Sequence, residues 1–398
     1  MTASVPEQER AFPGLNAVRA VAALGVVATH TAFDTGEVHR GALGAFLSRL
    51  DFGVTLFFVL SGFLLSRPFF VAASRGLARP SYRHFLWKRA LRILPLYWLT
   101  VVAALLLLPE NRGSTSAGEW LANLTLTQIY TTGSLPAGLS QMWSLATEVA
   151  FYVLLPAIAA ALVGRRWAPG RALVALAVVV VLGFAWQVVA ASNSDPLDQH
   201  YHQWLPGFMP WFGVGIAFAL VSVHAPSTPA GSRWQLPDRV GQDVFGSWFV
   251  GAAVFAIACT PVAGPRLLET PTPFEAGAKS LLYTVSAAFF VLPLVFGPEH
   301  GGLGRRIAAT PFAVWLGDIS YGIFSLHLIV LEATMAALGV DEFEGGFQTV
   351  FVVTVAGTIL LAGASFYVLE RPLLRLKNRG PFVPSAPRAA ASARSASS

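Results

Sequence analysis

Charge is what this sequence has least of. Of its 398 residues only 12% are Asp, Glu, Lys or Arg, against about 25% in soluble proteins. A soluble fold of this size needs polar groups over its whole surface, so the shortage argues against a soluble enzyme. The chain does not read as disordered either, because 55% hydrophobic residues offer ample apolar surface to bury. Cysteine is almost absent. The single Cys259 excludes an internal disulfide and a cysteine zinc site. Its apolar setting predicts a small buried hydrophobe. No metal site and no internal repeat is read from the pattern.

What is present is a series of apolar runs. A run of about 20 residues crosses a bilayer as a helix. Ten such spans are read: 15–33, 52–73, 92–108, 141–163, 172–192, 203–224, 244–262, 279–297, 312–337 and 347–369. The expectation is an all-α, polytopic integral membrane helix bundle of about ten transmembrane helices, with both termini cytoplasmic. The first span is not a cleaved signal peptide, because Arg19 and His30 interrupt it and no small-residue cleavage site follows. Residues 1–14 form a short cytoplasmic segment and 15–372 the membrane domain. Residues 373–398, ending in an Ala-, Ser- and Pro-rich tract, form a disordered cytoplasmic tail. No further folded domain is expected after the tenth span.

The net charge of +6 invites a nucleic-acid reading. The distribution of the basic residues removes it. With both termini inside, 22 of the 27 fall on the inner side. Arg40, Arg49, Arg112, Arg266 and Lys279 fall on the outer side. That asymmetry is the positive-inside rule. The charge reports orientation in a lipid bilayer, expected to be the plasma membrane, and no nucleic-acid partner.

Ionisable groups inside spans are costly and are functional candidates by default. Arg19 and His30 are eleven residues apart, about 20° from a whole number of turns, so they share one helix face ~16 Å apart. Ser144 and Glu148 lie one turn apart on another span. His327 shares a face with Ser320, about two turns below it. His30, Ser61, Glu148 and His327 fall at similar depths on four helices, in the outer half. A cavity holding two imidazoles and a carboxylate suits acid–base chemistry. The same groups also read as polar clips between helices. At the inner edge, Arg89 and Arg92 are three residues apart on one face, which suits phosphate through paired guanidinium donors or plain lipid contact.

Six elements in order carry a family resemblance: Leu15–His30 with Arg19 and His30 separated by ten residues, Gly53–Phe63, Lys88–Trp98, Trp143–Tyr152, Ser320–His327 and Glu370–Pro372. With them the chain resembles the bacterial acyltransferase-3 family of membrane-bound O-acyltransferases. Thr55 stands where many members have Asp, Phe324-Ser325 replaces the commoner Tyr-Leu, and the basic pair is shifted toward Lys88-Arg89. The resemblance implies transfer of an acyl group from acyl-CoA, as donor substrate with no tightly bound cofactor, to a hydroxyl. The acceptor it implies is sugar-containing: a glycan, a glycolipid or a glycosylated metabolite such as a macrolide. Arg89, Arg92 and Arg19 are then expected to hold CoA phosphates. His30 is the expected base for the acceptor hydroxyl, with Glu148 orienting it. His327, Ser61 and Tyr152 are expected to serve the oxyanion or the acceptor. Trp143, Ser144, Ser320 and Tyr321 belong to the matching elements and complete the substrate-binding set. The competing reading is a membrane transporter or flippase of an acyl group or glycolipid. It lacks the paired broken helices such folds often display. Oligomeric state, acyl length and acceptor identity are not legible in the pattern.

Overall fold

The structure is a computed structural model that describes residues 12, 14–131, 135–192, 200–266, 270–296 and 303–379. No strand occurs among these residues. The helices are α1 (Gly14–Asp34), α2 (Gly41–Ser48), α3 (Phe52–Ser74), α4 (Tyr82–Leu107), α5 (Ala117–Leu124), α6 (Met142–Val163), α7 (Pro169–Ser192) and α8 (Leu205–His224). They continue with α9 (Leu236–Gln242), α10 (Val244–Ala258), α11 (Pro273–Val295), α12 (Leu303–Ala308), α13 (Pro311–Asp318), α14 (Ser320–Leu338), α15 (Phe347–Ser365) and α16 (Arg371–Leu374). Among the described residues nine helices are long and apolar enough to span a bilayer, and α9 with α10, bent by 91°, makes a possible tenth. The protein is a polytopic helical membrane protein. The segments 1–11 and 380–398, which include most of the expected terminal tails, lie outside the described residues.

Three expected spans differ in detail. The third begins ten residues earlier, at Tyr82, because the Ser81 hydroxyl accepts the backbone N–H of His84 and caps a longer helix. The seventh, α10, has 15 residues, about 22 Å of helix against a hydrocarbon core of ~30 Å. The ninth is not continuous: it breaks at Ile319 between α13 and α14. Gly317 sits so close to α1 that a Cβ would lie 2.3 Å from the Asn16 carbonyl oxygen. The Ser320 hydroxyl donates to the Gly317 carbonyl at 2.7 Å and satisfies one group left open by the break. Cys259, expected to be buried, is half-buried.

α1 runs through the centre and packs on α3, α13, α14 and α15. α3 packs closely on α8. A Cβ on Gly62 would lie 2.2 Å from the Phe212 carbonyl oxygen, and one on Gly215 2.0 Å from that of Val59. The two glycines let the backbones touch and fix the rotation of α3, which turns Ser61 toward α6. Around them Phe212 stacks between Phe58 at 4.4 Å and Phe151 at 4.0 Å. α7 and α15 keep mostly exposed apolar faces, as helices against lipid do. The long connection after α4 folds back along it: the Tyr97 hydroxyl donates to the Asn123 carbonyl and Trp98 Nε1 to that of Leu124 at 3.0 Å.

Candidate active site

A cavity of about 910 Å³ opens between the first turns of α1, the length of α3 and its connection to α4, and the N-terminal halves of α4, α6 and α14. Its mouth carries Pro80, Ser81 and His84. Its walls include Arg19, Ser61, Arg89, Arg92, Ser144, Glu148, Tyr152, Ser320 and Tyr321. Nine of the twelve residues singled out in the sequence therefore meet in one space. Lys88 and Asn16 join them.

Two kinds of chemistry lie in this cavity. Deep within it the Ser61 hydroxyl donates to Glu148 Oε1, and the Tyr152 hydroxyl lies beside both. Arg19 and Arg89 act electrostatically on Glu148. Nearer the mouth are the cations. Arg19 Nη1 is 3.5 Å from Asn16 Oδ1. Arg89 buries its Nε with no protein partner among the described residues, a costly state that a bound acceptor group would relieve.

Arg92 is tied down more firmly than a free phosphate ligand would be. Its Nη1 pairs with Glu370 Oε2 at 3.1 Å, and its Nη2 donates to the Asp318 carbonyl at 3.0 Å. Both partners come from irregular backbone. The Asp318 carbonyl is at the α13–α14 break, and Glu370 ends a π-turn, Phe366–Glu370, that continues α15. The Ser365 hydroxyl also donates to Glu370, at 3.3 Å. Glu370 is only 1% exposed; by sequence it is only part of the closing motif. Its role as the Arg92 partner follows from the π-turn, which no spacing rule foretells. The Asp318 carboxylate accepts from Asn16 Nδ2 at 3.4 Å.

The remaining polar members are engaged locally. The Ser144 hydroxyl donates to the Gln141 carbonyl at 3.1 Å, and Tyr321 Oη to that of Ile93 at 2.8 Å. Trp143 does not line the cavity. It packs on Phe208 with ring centroids 5.2 Å apart.

The two histidines form a separate pair where α1 meets α14, and neither lines the cavity. His30 Nδ1 is 2.9 Å from the Val26 carbonyl, and His327 Nδ1 is 2.7 Å from that of Phe324. A carbonyl only accepts, so both Nδ1 atoms carry the proton. His327 Nε2, 3.1 Å from His30 Nδ1, then presents a lone pair to that N–H. The other lone pair, on His30 Nε2, is used by neither of these contacts. The expected Glu148–His30 pairing is replaced: His30 lies against His327, and Glu148 accepts from Ser61. His327 is fully buried. Phe324 connects the two sites. It lines the cavity, its carbonyl holds His327, and its ring lies 6.1 Å from that imidazole and 6.0 Å from Phe57.

A multi-pass helical fold with a cation-rich cavity, a buried serine–carboxylate pair and a nearby imidazole pair is that of a membrane-embedded group-transfer domain. Residues 12–369 match the acyltransferase domain family known as acyltransferase-3, and the chain belongs to that family. It is 28% identical over 386 residues to a Bacillus subtilis protein named "Putative peptidoglycan O-acetyltransferase YrhL", covering 92% of this chain and 55% of that one. It is 23% identical over 379 residues to peptidoglycan O-acetyltransferase OatA of Listeria monocytogenes, covering 91% and 55%. It is also 28% identical over 352 residues to exopolysaccharide production protein ExoZ of Rhizobium meliloti, covering 87% and 94%. The chain spans about half the length of the two peptidoglycan enzymes. No solved structure matches it.

Proposed function

We propose that the protein is an O-acyltransferase of the cell membrane that moves an acetyl or other short acyl group from cytoplasmic acyl-CoA to a hydroxyl of a sugar-containing acceptor. The observation that carries this reading is the cavity: its volume lies within the range of small-molecule sites, and Arg19, Lys88, Arg89 and Arg92 line it. Guanidinium groups bind phosphate through paired donors, and CoA carries several phosphates. Under the positive-inside rule the mouth of the cavity faces the cytoplasm, where acyl-CoA is found. The family and its relatives' names support a sugar polymer as acceptor.

In this mechanism His30 Nε2 takes the proton of the acceptor hydroxyl and makes its oxygen nucleophilic. His327 Nε2 accepts from His30 Nδ1–H, which keeps the tautomer and steadies the imidazolium as it forms, as a carboxylate does beside a catalytic histidine elsewhere. The phosphates of the donor sit on Arg89, with Arg92 braced by Glu370.

The test uses purified protein in lipid nanodiscs with acetyl-CoA and a de-O-acetylated acceptor, either peptidoglycan fragments or an exopolysaccharide. Free CoA should appear in step with acetyl ester on the acceptor. Movement of acceptor across vesicles without CoA release would make the protein a transporter and overturn the proposal.

A further inference from the structure

We infer that Ser61 is a catalytic nucleophile that carries the acyl group between donor and acceptor; this rests on the acyl-CoA reading above. The two halves of the chemistry are housed apart. The cations that suit CoA line the cavity, and His30 and His327 do not. Within that cavity the Ser61 hydroxyl donates to a buried carboxylate, Glu148, which Tyr152, a weaker nucleophile when protonated, also contacts. The Ser144 and Ser320 hydroxyls donate to backbone carbonyls three residues back in the chain, and a carbonyl cannot take a proton as a base. A serine bonded to a carboxylate is the arrangement a base-activated nucleophile requires.

The packing holds this pair in place. Gly62 and Gly215 press α3 onto α8, so α3 has little freedom to rotate, and Ser61 stays aimed at α6. Arg19 and Arg89, which act on Glu148 from the same cavity, and the Tyr152 hydroxyl beside Ser61 supply positive charge and a donor for an oxyanion.

The step balances as follows. Glu148, as carboxylate, takes the Ser61 hydroxyl proton while Oγ attacks the thioester carbon. The tetrahedral intermediate expels the CoA sulfur as the C–S bond breaks, and Glu148 returns the proton to give the free thiol. The product is an ester on Ser61. In the second half the acceptor oxygen, deprotonated by His30, attacks that ester carbon. The C–O bond to Ser61 breaks, and the Ser61 oxygen regains a proton from imidazolium or solvent. Phe324, which lines the cavity beside His327, and Phe57, whose ring packs on it, are the side chains that must yield for the acceptor to meet the ester.

The experiment incubates nanodisc protein with acetyl-CoA labelled in the acetyl group, without acceptor, followed by acid quench and peptide mapping by mass spectrometry. Wild-type protein should carry one acetyl on Ser61. His30→Ala should carry it too and retain it when acceptor is added. Ser61→Ala should carry none and lose transfer, while showing the same thermal unfolding as wild type. Ser61→Cys, which keeps a nucleophile should the alanine variant misfold, should carry a thioester that neutral hydroxylamine cleaves. Label on His30, His327 or Tyr152 in place of Ser61 would overturn the relay. So would wild-type transfer by Ser61→Ala. If wild-type protein turns acetyl-CoA over with acceptor but forms no ester on Ser61, the relay alone falls. If it never turns acetyl-CoA over, the acyltransferase reading falls with it.

Discussion

The Ser61–Glu148 pair and the His30–His327 pair are both polar contacts between two transmembrane helices, yet they are built differently. Ser61 and Glu148 join α3 to α6 at the wall of a large cavity whose other lining residues are mostly cationic or aromatic. His30 and His327 join α1 to α14 away from it, and each imidazole is first anchored to a carbonyl of its own helix. One pair faces a space large enough for a substrate. The other spends three of its four ring nitrogens on the protein and keeps one. A group that must accept a proton from a variable acceptor needs a fixed tautomer more than it needs room, whereas a group that must meet a bulky phosphorylated donor needs the room.

The contrast can be broken by substitution. The largest expected effect is on the free ring nitrogen: His30→Ala should lower transfer by about 10²–10⁴-fold, the usual contribution of a positioned general base. Transfer assays at matched protein levels would measure it, and wild-type activity would remove His30 from the chemistry. Next is the donor end. Arg89→Gln with Arg92→Gln should raise the KM for acyl-CoA by about 10–100-fold, the loss of one or two hydrogen bonds to a charged group, and leave the acceptor KM unchanged. An unaltered donor KM would empty the cavity of its proposed ligand.

A smaller effect sharpens the division between acting and positioning. His327→Ala should lower kcat by about tenfold, the order of a lost hydrogen bond of about 1.4 kcal/mol, with the acyl-CoA KM unchanged. His327→Gln, whose amide oxygen can accept from His30 Nδ1, should recover part of it. If the donor KM moves as well, the two sites are not separate. Finally, Gly62→Ala places a methyl 2.2 Å from the Phe212 carbonyl oxygen. It should cost about 1–3 kcal/mol, as overpacking does, and lower the thermal midpoint in detergent. A neutral Gly62→Ala would mean that α3 and α8 slide apart freely, and that Ser61 is not held by their contact.

Much of this was legible without coordinates. The apolar runs placed the spans because a bilayer demands uninterrupted hydrophobicity, and the family elements placed Arg19, Ser61, Glu148 and Arg89, all of which line the cavity. What failed was partnership. Glu148 was expected beside His30 and is bonded to Ser61, and Trp143, expected from its matching element, packs on Phe208 outside the cavity. The break at Ile319 and the π-turn that ends in Glu370 escaped notice because each arises where one helix presses on another, as Gly317 does on Asn16. Local sequence carries no record of such contact.

The sequence by itself determined which residues are in the membrane and how deep they lie, since depth accumulates at about 1.5 Å per residue along a helix. It could not determine the azimuth of one helix relative to the next. That was decided by backbone contacts such as Gly62 on Phe212 and Gly317 on Asn16. Four residues at one depth thereby became two pairs, one in the cavity and one outside it.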